Sequence, residues 1–183
     1  LNFQLGVEQA VDYLLMHGHK EIGFLGPCRK LDQKKRPALE VRREIFIRYM
    51  EEKGLFRSDY LFDAPMTAAD ARALLSERLN QGAPMPTAIL AANEEAAIGA
   101  AGALREQGMS IPDDLSIISF NDTPLSALTD PPLTSISTHV EAMSATAIEL
   151  LARRATTPSK LLPLKIVVPP TLNARESVKE YVR

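Results

Sequence analysis

Five polar side chains in this 183-residue chain combine type and spacing in a way that suits a hydroxyl-rich ligand. They are Arg42, the neighbours Asn93 and Glu94, and the neighbours Asn121 and Asp122. An arginine fork presents several N–H donors in one plane, an amide donates and accepts at once, and a carboxylate accepts from hydroxyls. A cleft holding all of them would meet a polyhydroxylated molecule such as a sugar with donors and acceptors at fixed positions. The fork could equally grip a carboxylate or a phosphate. Asn and Asp also favour helix caps, so spacing alone leaves a capping role and a ligand role open.

Catalytic chemistry finds no comparable constellation. His17, His19 and His139 are the three histidines, and none stands at triad or metal-ligand spacing. His19 reads as a bridge between a helix end and a strand start. No G-x-S-x-G, P-loop or G-x-G-x-x-G segment occurs. Asp113 with Asp114, and Glu94 with Glu95, read as caps and solvated charges rather than acid–base pairs. The expectation is a protein that is not an enzyme, with no cofactor and no metal. Cys28, the only cysteine, excludes an intrachain disulfide and reads as a small, part-buried side chain. Disulfide poverty fits a reducing cytoplasm. The formal net charge is -2, whereas a domain that grips nucleic acid is usually basic. These residues are therefore not expected to touch DNA themselves. No run approaches the about 20 apolar residues of a membrane-spanning helix.

The elements that must position these groups follow from periodicity. Leu5, Val7, Ala10, Val11, Leu14 and Leu15 recur at helical spacing and Gly18 stops the helix. Residues 21–25 read as a short buried strand and 29–37 as an exposed basic loop. The pattern predicts helices over 39–53, closed by Gly54, and from Thr67, whose spacing to Asp70 has the form of a capping box, to near Gly82. Further helices are predicted over 94–107 and 140–154. Strands are predicted at 59–63, 87–92, 115–120 and 134–138, with a strand-like tail at 161–168. Pro124, Pro131 and Pro132 read as chain breakers. Apolar strands alternating with helices of about 14 residues imply an α/β fold, an open parallel sheet with helices on both faces. In such a sheet, ligands bind beyond the carboxyl ends of the strands, where Asn93, Glu94, Asn121 and Asp122 fall.

Five stretches in order resemble the LacI/GalR family of bacterial transcription regulators. Leu14, Gly18, His19 and Ile22 follow its "L-x-x-x-G-H-x-x-I" segment, and Pro86, Thr87, Ala88, Ile89, Asn93, Ala97 and Gly99 its "P-T-A-I-x-x-x-N-D-x-x-A-x-G" segment. Gly108, Ile111, Pro112, Asp114, Ser116, Phe120 and Asp122 follow "G-x-x-I-P-x-D-x-S-x-x-x-F-x-D". Pro131 to Thr134 with Ile136 follow "P-P-L-T-x-I", and Arg175, Glu176 and Ser177 the terminal "R-E-S". Three positions depart from the pattern: Glu94 and Asn121 stand where Asp is usual, and Ile45 where Gly is usual.

The resemblance implies a core like that of periplasmic sugar-binding proteins (periplasmic-binding-protein-like I), mainly its C-terminal lobe. Residues 1–138 would form that lobe, 139–160 a helix that packs on a first lobe, and 161–183 a returning strand and tail. The DNA-binding headpiece and most of the first lobe would lie outside a chain that reads as cut from a longer protein. Carried over by position, Arg42, Asn93, Asn121 and Asp122 are implied effector contacts, with Glu94 beside them and Phe46 as a pocket-side aromatic. The implied function is effector sensing in a cytoplasmic regulator, a repressor, that answers a small polar ligand, most directly a sugar. Its partners would be a second copy of the chain and operator DNA reached through the headpiece, with no membrane. A twofold contact is implied around Leu125 to Pro132 and on the face of the 94–107 helix; otherwise those prolines merely end a loop. A periplasmic sugar-binding protein of a transport system, which shares the core, is the alternative.

Overall fold

A computed structural model describes residues 1–31, 37–156 and 164–182 of the chain. A six-stranded sheet runs in the order β4-β1-β5-β6-β7-β8, from β1 (Ile22–Leu25), β4 (Leu61–Phe62), β5 (Ala88–Ala91), β6 (Ser116–Asn121), β7 (Thr134–Ser137) and β8 (Thr171–Asn173). All neighbours pair in parallel except β7 and β8, which are antiparallel. Helices α1 (Phe3–Met16) and α2 (Val41–Glu52) cover one face, and α3 (Ala68–Asn80) and α4 (Glu94–Glu106) the other. This is the α/β architecture that the apolar strands predict.

The strands lack polar alternation because both faces are buried. Ile22, Phe24, Leu90, Ile118 and Phe120 enter the core under α1 and α2, while Leu25, Ile89, Ala91 and Ile117 enter the core under α3 and α4. Local signals set the helix ends. Asn2 accepts from the Leu5 amide at 3.1 Å to start α1, and Thr67 accepts from Asp70 at 3.2 Å to start α3. Gly54 and Gly108 follow α2 and α4 at φ 69° and 68°, where a left-handed residue ends the helix.

Three expectations change. The basic loop at 29–37 is flanked by an antiparallel pair, β2 (Arg29–Leu31) with β3 (Pro37–Leu39), while residues 32–36 lie outside the described residues. Pro124 does not simply break the chain but opens a short helix, α5 (Pro124–Leu128), because a proline's fixed φ and missing N–H suit the first helical position. The tail strand sits later than 161–168: residues 161–163 lie outside the described residues, 164–168 carry no sheet pairing, and β8 forms at Thr171–Asn173 against β7. Leu164, Ile166 and Val167 are exposed, so their apolar run has no described strand to join.

Two contacts lock the layers. A β-carbon at Gly99 of α4 would sit 2.3 Å from the Ala68 carbonyl oxygen of α3, so only glycine permits this approach. His19, 1% exposed, holds Thr87 Oγ1 at 2.9 Å through Nδ1 and the Lys179 carbonyl at 3.1 Å through Nε2, and its ring stacks on Tyr181. A carbonyl only accepts, so Nε2 carries the proton toward Lys179, while Nδ1 lies against the Thr87 hydroxyl, which itself donates to the Glu21 carbonyl at 3.1 Å. His19 thus fastens the tail to the sheet as well as bridging α1 and β1.

Gly99→Ala should destabilise by about 1–3 kcal/mol through overpacking, read as a lower urea midpoint at unchanged slope. Burial, first, holds the His19 pKa below its ordinary value, helped by the charges of His17 and Lys179 and opposed by its bond to Lys179. The unfolded chain then binds the proton more readily than the native one. His19's stabilisation is therefore complete above the unfolded value of about 6.5 and is lost as pH falls through the lower folded value. Melting temperature measured against pH should fall in that acidic window, and the fall should be shallower in His19→Gln.

Candidate functional site

The chain leaves β1 for β4 on one side and returns to β5 on the other, so strand order reverses beside β1. A crevice opens at such a reversal beyond the carboxyl ends of the strands. Here it is a cavity of about 430 Å³ whose wall includes Phe3, Arg42, Met66, Asn93, Asn121 and Thr138, together with Leu1 and Met143.

Arg42 is the charge of this cavity. It stands in the first turn of α2 and is only 7% exposed. Its Nε donates to Glu40 Oε1 at 2.7 Å, Nη1 donates to the Ala92 carbonyl at the end of β5, and Nη2 lies 3.4 Å from the Met66 sulfur. The guanidinium carbon is 5.6 Å from the Phe3 ring centre and 5.4 Å from that of Phe120. Two aromatic faces and a carboxylate thus compensate the buried charge and fix the plane of the fork.

Asn93 caps α4 by accepting from the Ala96 amide at 3.0 Å, and its Nδ2 donates to the Met66 carbonyl at 3.0 Å. It is at once a cap and a cavity wall. Asn121, at the end of β6, has φ 96°, a left-handed conformation that costs energy outside glycine and tends to mark functional turns. Its Nδ2 lies 3.4 Å from Glu94 Oε2. Glu94 Oε1 also accepts from the Thr123 amide at 2.7 Å and from the Ser126 hydroxyl at 3.2 Å.

Three of the six sequence candidates, Arg42, Asn93 and Asn121, line one cavity. The structure places the other three beside it. Glu94, 4% exposed, lies behind Asn121. Phe46 is buried against Phe24, ring centres 5.5 Å apart; it is one turn along from Arg42 on the same face of α2, over the sheet rather than the crevice. Asp122 pairs with Arg175 at 2.7 Å and accepts from Asn173, because its φ of 56° turns it toward the tail. The terminal Arg-Glu-Ser segment is likewise structural: Ser177 Oγ donates to the Ile117 carbonyl at 2.5 Å and accepts from the Thr134 amide at 2.8 Å. Met66, Phe3 and Thr138 were not legible as site residues. Met66 and Thr138 had a signal, their places just beyond the carboxyl ends of β4 and β7.

A second concavity, about 610 Å³, runs along α4. Ile98, Ala101, Gly102 and Arg105 of α4 form one wall, Arg72 of α3 another, and Leu125, Thr129 and Pro131 a third. At its edge Arg72 pairs with Glu106, which also accepts from Ser76 at 2.8 Å. The Arg72 hydrogen bond, then that of Ser76, holds the exposed Glu106 carboxyl below its usual range. Helix α6 (Val140–Thr156) has no buried residue, and its Val140, Met143, Ile148 and Leu151 are exposed. Among the described residues no group of three His, Cys, Asp or Glu could hold a metal ion, and no helix is long and apolar enough to cross a membrane.

The family model of the periplasmic binding protein-like domain matches residues 11–178. The chain belongs to that family. It is similar to the HTH-type transcriptional regulator GalR of Streptococcus thermophilus, 34% identical over 160 residues, which cover 87% of this chain and 48% of that protein. It is also similar to the HTH-type transcriptional repressor PurR of Pasteurella multocida, 34% identical over 172 residues, covering 93% and 49%. The chain spans about half the length of these curated relatives. A LacI family transcriptional regulator from Mycobacterium smegmatis has a similar structure, with TM-score 0.79 and 26% identity over 98% of this chain and 65% of that one. The dimeric Lac repressor with an 11-residue C-terminal deletion shares the fold, with TM-score 0.84 and 24% identity over 98% of this chain and 62% of that one. The chain is therefore an effector-binding region of the LacI/GalR type.

Proposed function

We propose that this chain is the second lobe of the effector-binding core of a cytoplasmic, non-catalytic DNA-binding regulator, a repressor, whose effector is a small polyhydroxylated molecule, most directly a sugar. The observation that carries the reading is Arg42: a guanidinium 7% exposed, clamped in plane by Glu40 and the Ala92 carbonyl, facing a cavity that Asn93 and Asn121 also line. A fixed fork beside amides matches adjacent hydroxyls. The relatives that are transcription regulators favour this over a transport protein. Residues 1–138 would be the lobe, the exposed apolar side of α6 would pack on a first lobe, and operator DNA would be read by a headpiece outside this chain. The groove of α4 and the segment from Leu125 to Pro132 would carry the twofold contact of a homodimer, an isologous patch in which each copy meets the same surface of the other.

The test is thermal unfolding of the full-length protein against a panel of sugars, sugar phosphates and nucleobases. A compound at 100 times its Kd stabilises by about 2.7 kcal/mol, several degrees in a domain of this size. A sugar should give that shift and bind about 10–100-fold more weakly in Arg42→Lys, which keeps the charge but loses the fork. Stabilisation by nucleobases alone, or a sugar response untouched by Arg42→Lys, would overturn the reading. Lysine is the informative replacement because Arg42→Ala removes a partner of the fully buried Glu40 and should also cost stability. Leu125→Asp should convert a dimer to monomer in sedimentation; a dimer that persists would place the contact elsewhere.

A further inference from the structure

Glu94 is a buried charge for which effector binding alone provides no use. An ionised carboxylate has no proton to give, so each of its neighbours must donate: the Thr123 amide at 2.7 Å, the Ser126 hydroxyl at 3.2 Å and the Asn121 side chain at 3.4 Å. For Asn121 this decides which end of the amide is which. Its NH2 group faces Glu94, and its carbonyl oxygen Oδ1 is the end left for the cavity. Asn93 cannot take over that part, since its oxygen caps α4 and its nitrogen holds the Met66 carbonyl.

We infer that Glu94 is a specificity-determining positioning residue: through Asn121 it makes this wall of the cavity a hydrogen-bond acceptor, so the effector must bring a hydroxyl or N–H donor to Asn121 and an acceptor to Arg42. This rests on the effector site proposed above. Asn or Asp at 121 would present an acceptor alike, but only the amide needs an outside group to fix its sense. A glutamine in place of Glu94 has nearly the same shape and the opposite instruction. The Thr123 N–H can only donate, so the new side chain must keep its oxygen there, and its NH2 falls opposite Asn121. Asn121 then turns over, carbonyl toward position 94 and NH2 toward the cavity.

The experiment uses the full-length protein, with D-galactose, D-glucose and D-ribose and their monodeoxyfluoro analogues titrated calorimetrically. Fluorine cannot donate. In the wild type, the analogue fluorinated at the hydroxyl that donates to Asn121 should bind at least about tenfold more weakly than its parent. In Glu94→Gln that discrimination should shrink to less than about twofold. The double variant Glu94→Gln with Asn121→Asp should restore it, because the glutamine NH2 then donates to a carboxylate whose second oxygen accepts in the cavity. Unchanged discrimination in Glu94→Gln, or none regained in the double variant, would overturn the inference while leaving a sugar site in place. A second measurement needs no ligand: side-chain amide exchange of Asn121 by NMR, the signal assigned by its loss in Asn121→Asp. Exchange should be slow in the wild type and faster in Glu94→Gln; equal exchange overturns the role of Glu94 whether or not any sugar binds.

Discussion

A guanidinium is a permanent cation, so that of Arg42, with 7% exposure, must find its counter-charge and acceptors inside the protein. The carboxyl-end face of the sheet is arranged to supply them. Glu40 Oε1 serves twice, accepting from the Arg42 amide at 3.3 Å to start α2 and from its Nε at 2.7 Å to hold the fork. The Ala92 carbonyl is free to accept because β5 ends one residue earlier, at Ala91. Phe3 comes from α1 and Phe120 from β6. Four elements and one loop thus converge on a single planar cation, and the position of the cavity follows from theirs.

Behind that face, several buried polar groups hold one another. Ser119 donates to Ser135 at 2.9 Å between β6 and β7, Ser177 ties the tail to both strands, and Glu94 gathers Asn121, Thr123 and Ser126. In a low-dielectric interior such bonds are strong when complete and costly when broken. They explain why the end of β6 can hold Asn121 and Asp122 in left-handed conformations: Glu94 on one side and Arg175 on the other over-determine the turn.

The same turn leads into α5, so the cavity and the α4 groove share a short stretch of chain from Asn121 to Thr129. An effector shifts a conformational equilibrium only by its difference in affinity between the states. Met143 brings α6, a helix with no buried residue of its own, to the wall of the cavity. Contacts that reach both Arg42 and Met143 would couple α2 to α6.

The sequence by itself determined most of what depends on near neighbours. Apolar strands without alternation dictated a sheet covered on both faces, and Thr67 and Gly54 marked helix ends through bonds and backbone angles local to each residue. It also placed polar residues at the strand ends, where Arg42, Asn93 and Asn121 do meet. Only the tertiary structure decided which neighbours in sequence parted company in space. Asn121 and Asp122 are adjacent, yet their backbone angles send one to the cavity and the other to Arg175. Phe46 follows Arg42 by one helical turn and is swallowed by the core. Met66, which offers no hydrogen-bonding pattern to read, became a wall because β4 ends beside β1. Direction and long-range pairing fix such outcomes, and neither is written in residue type or spacing.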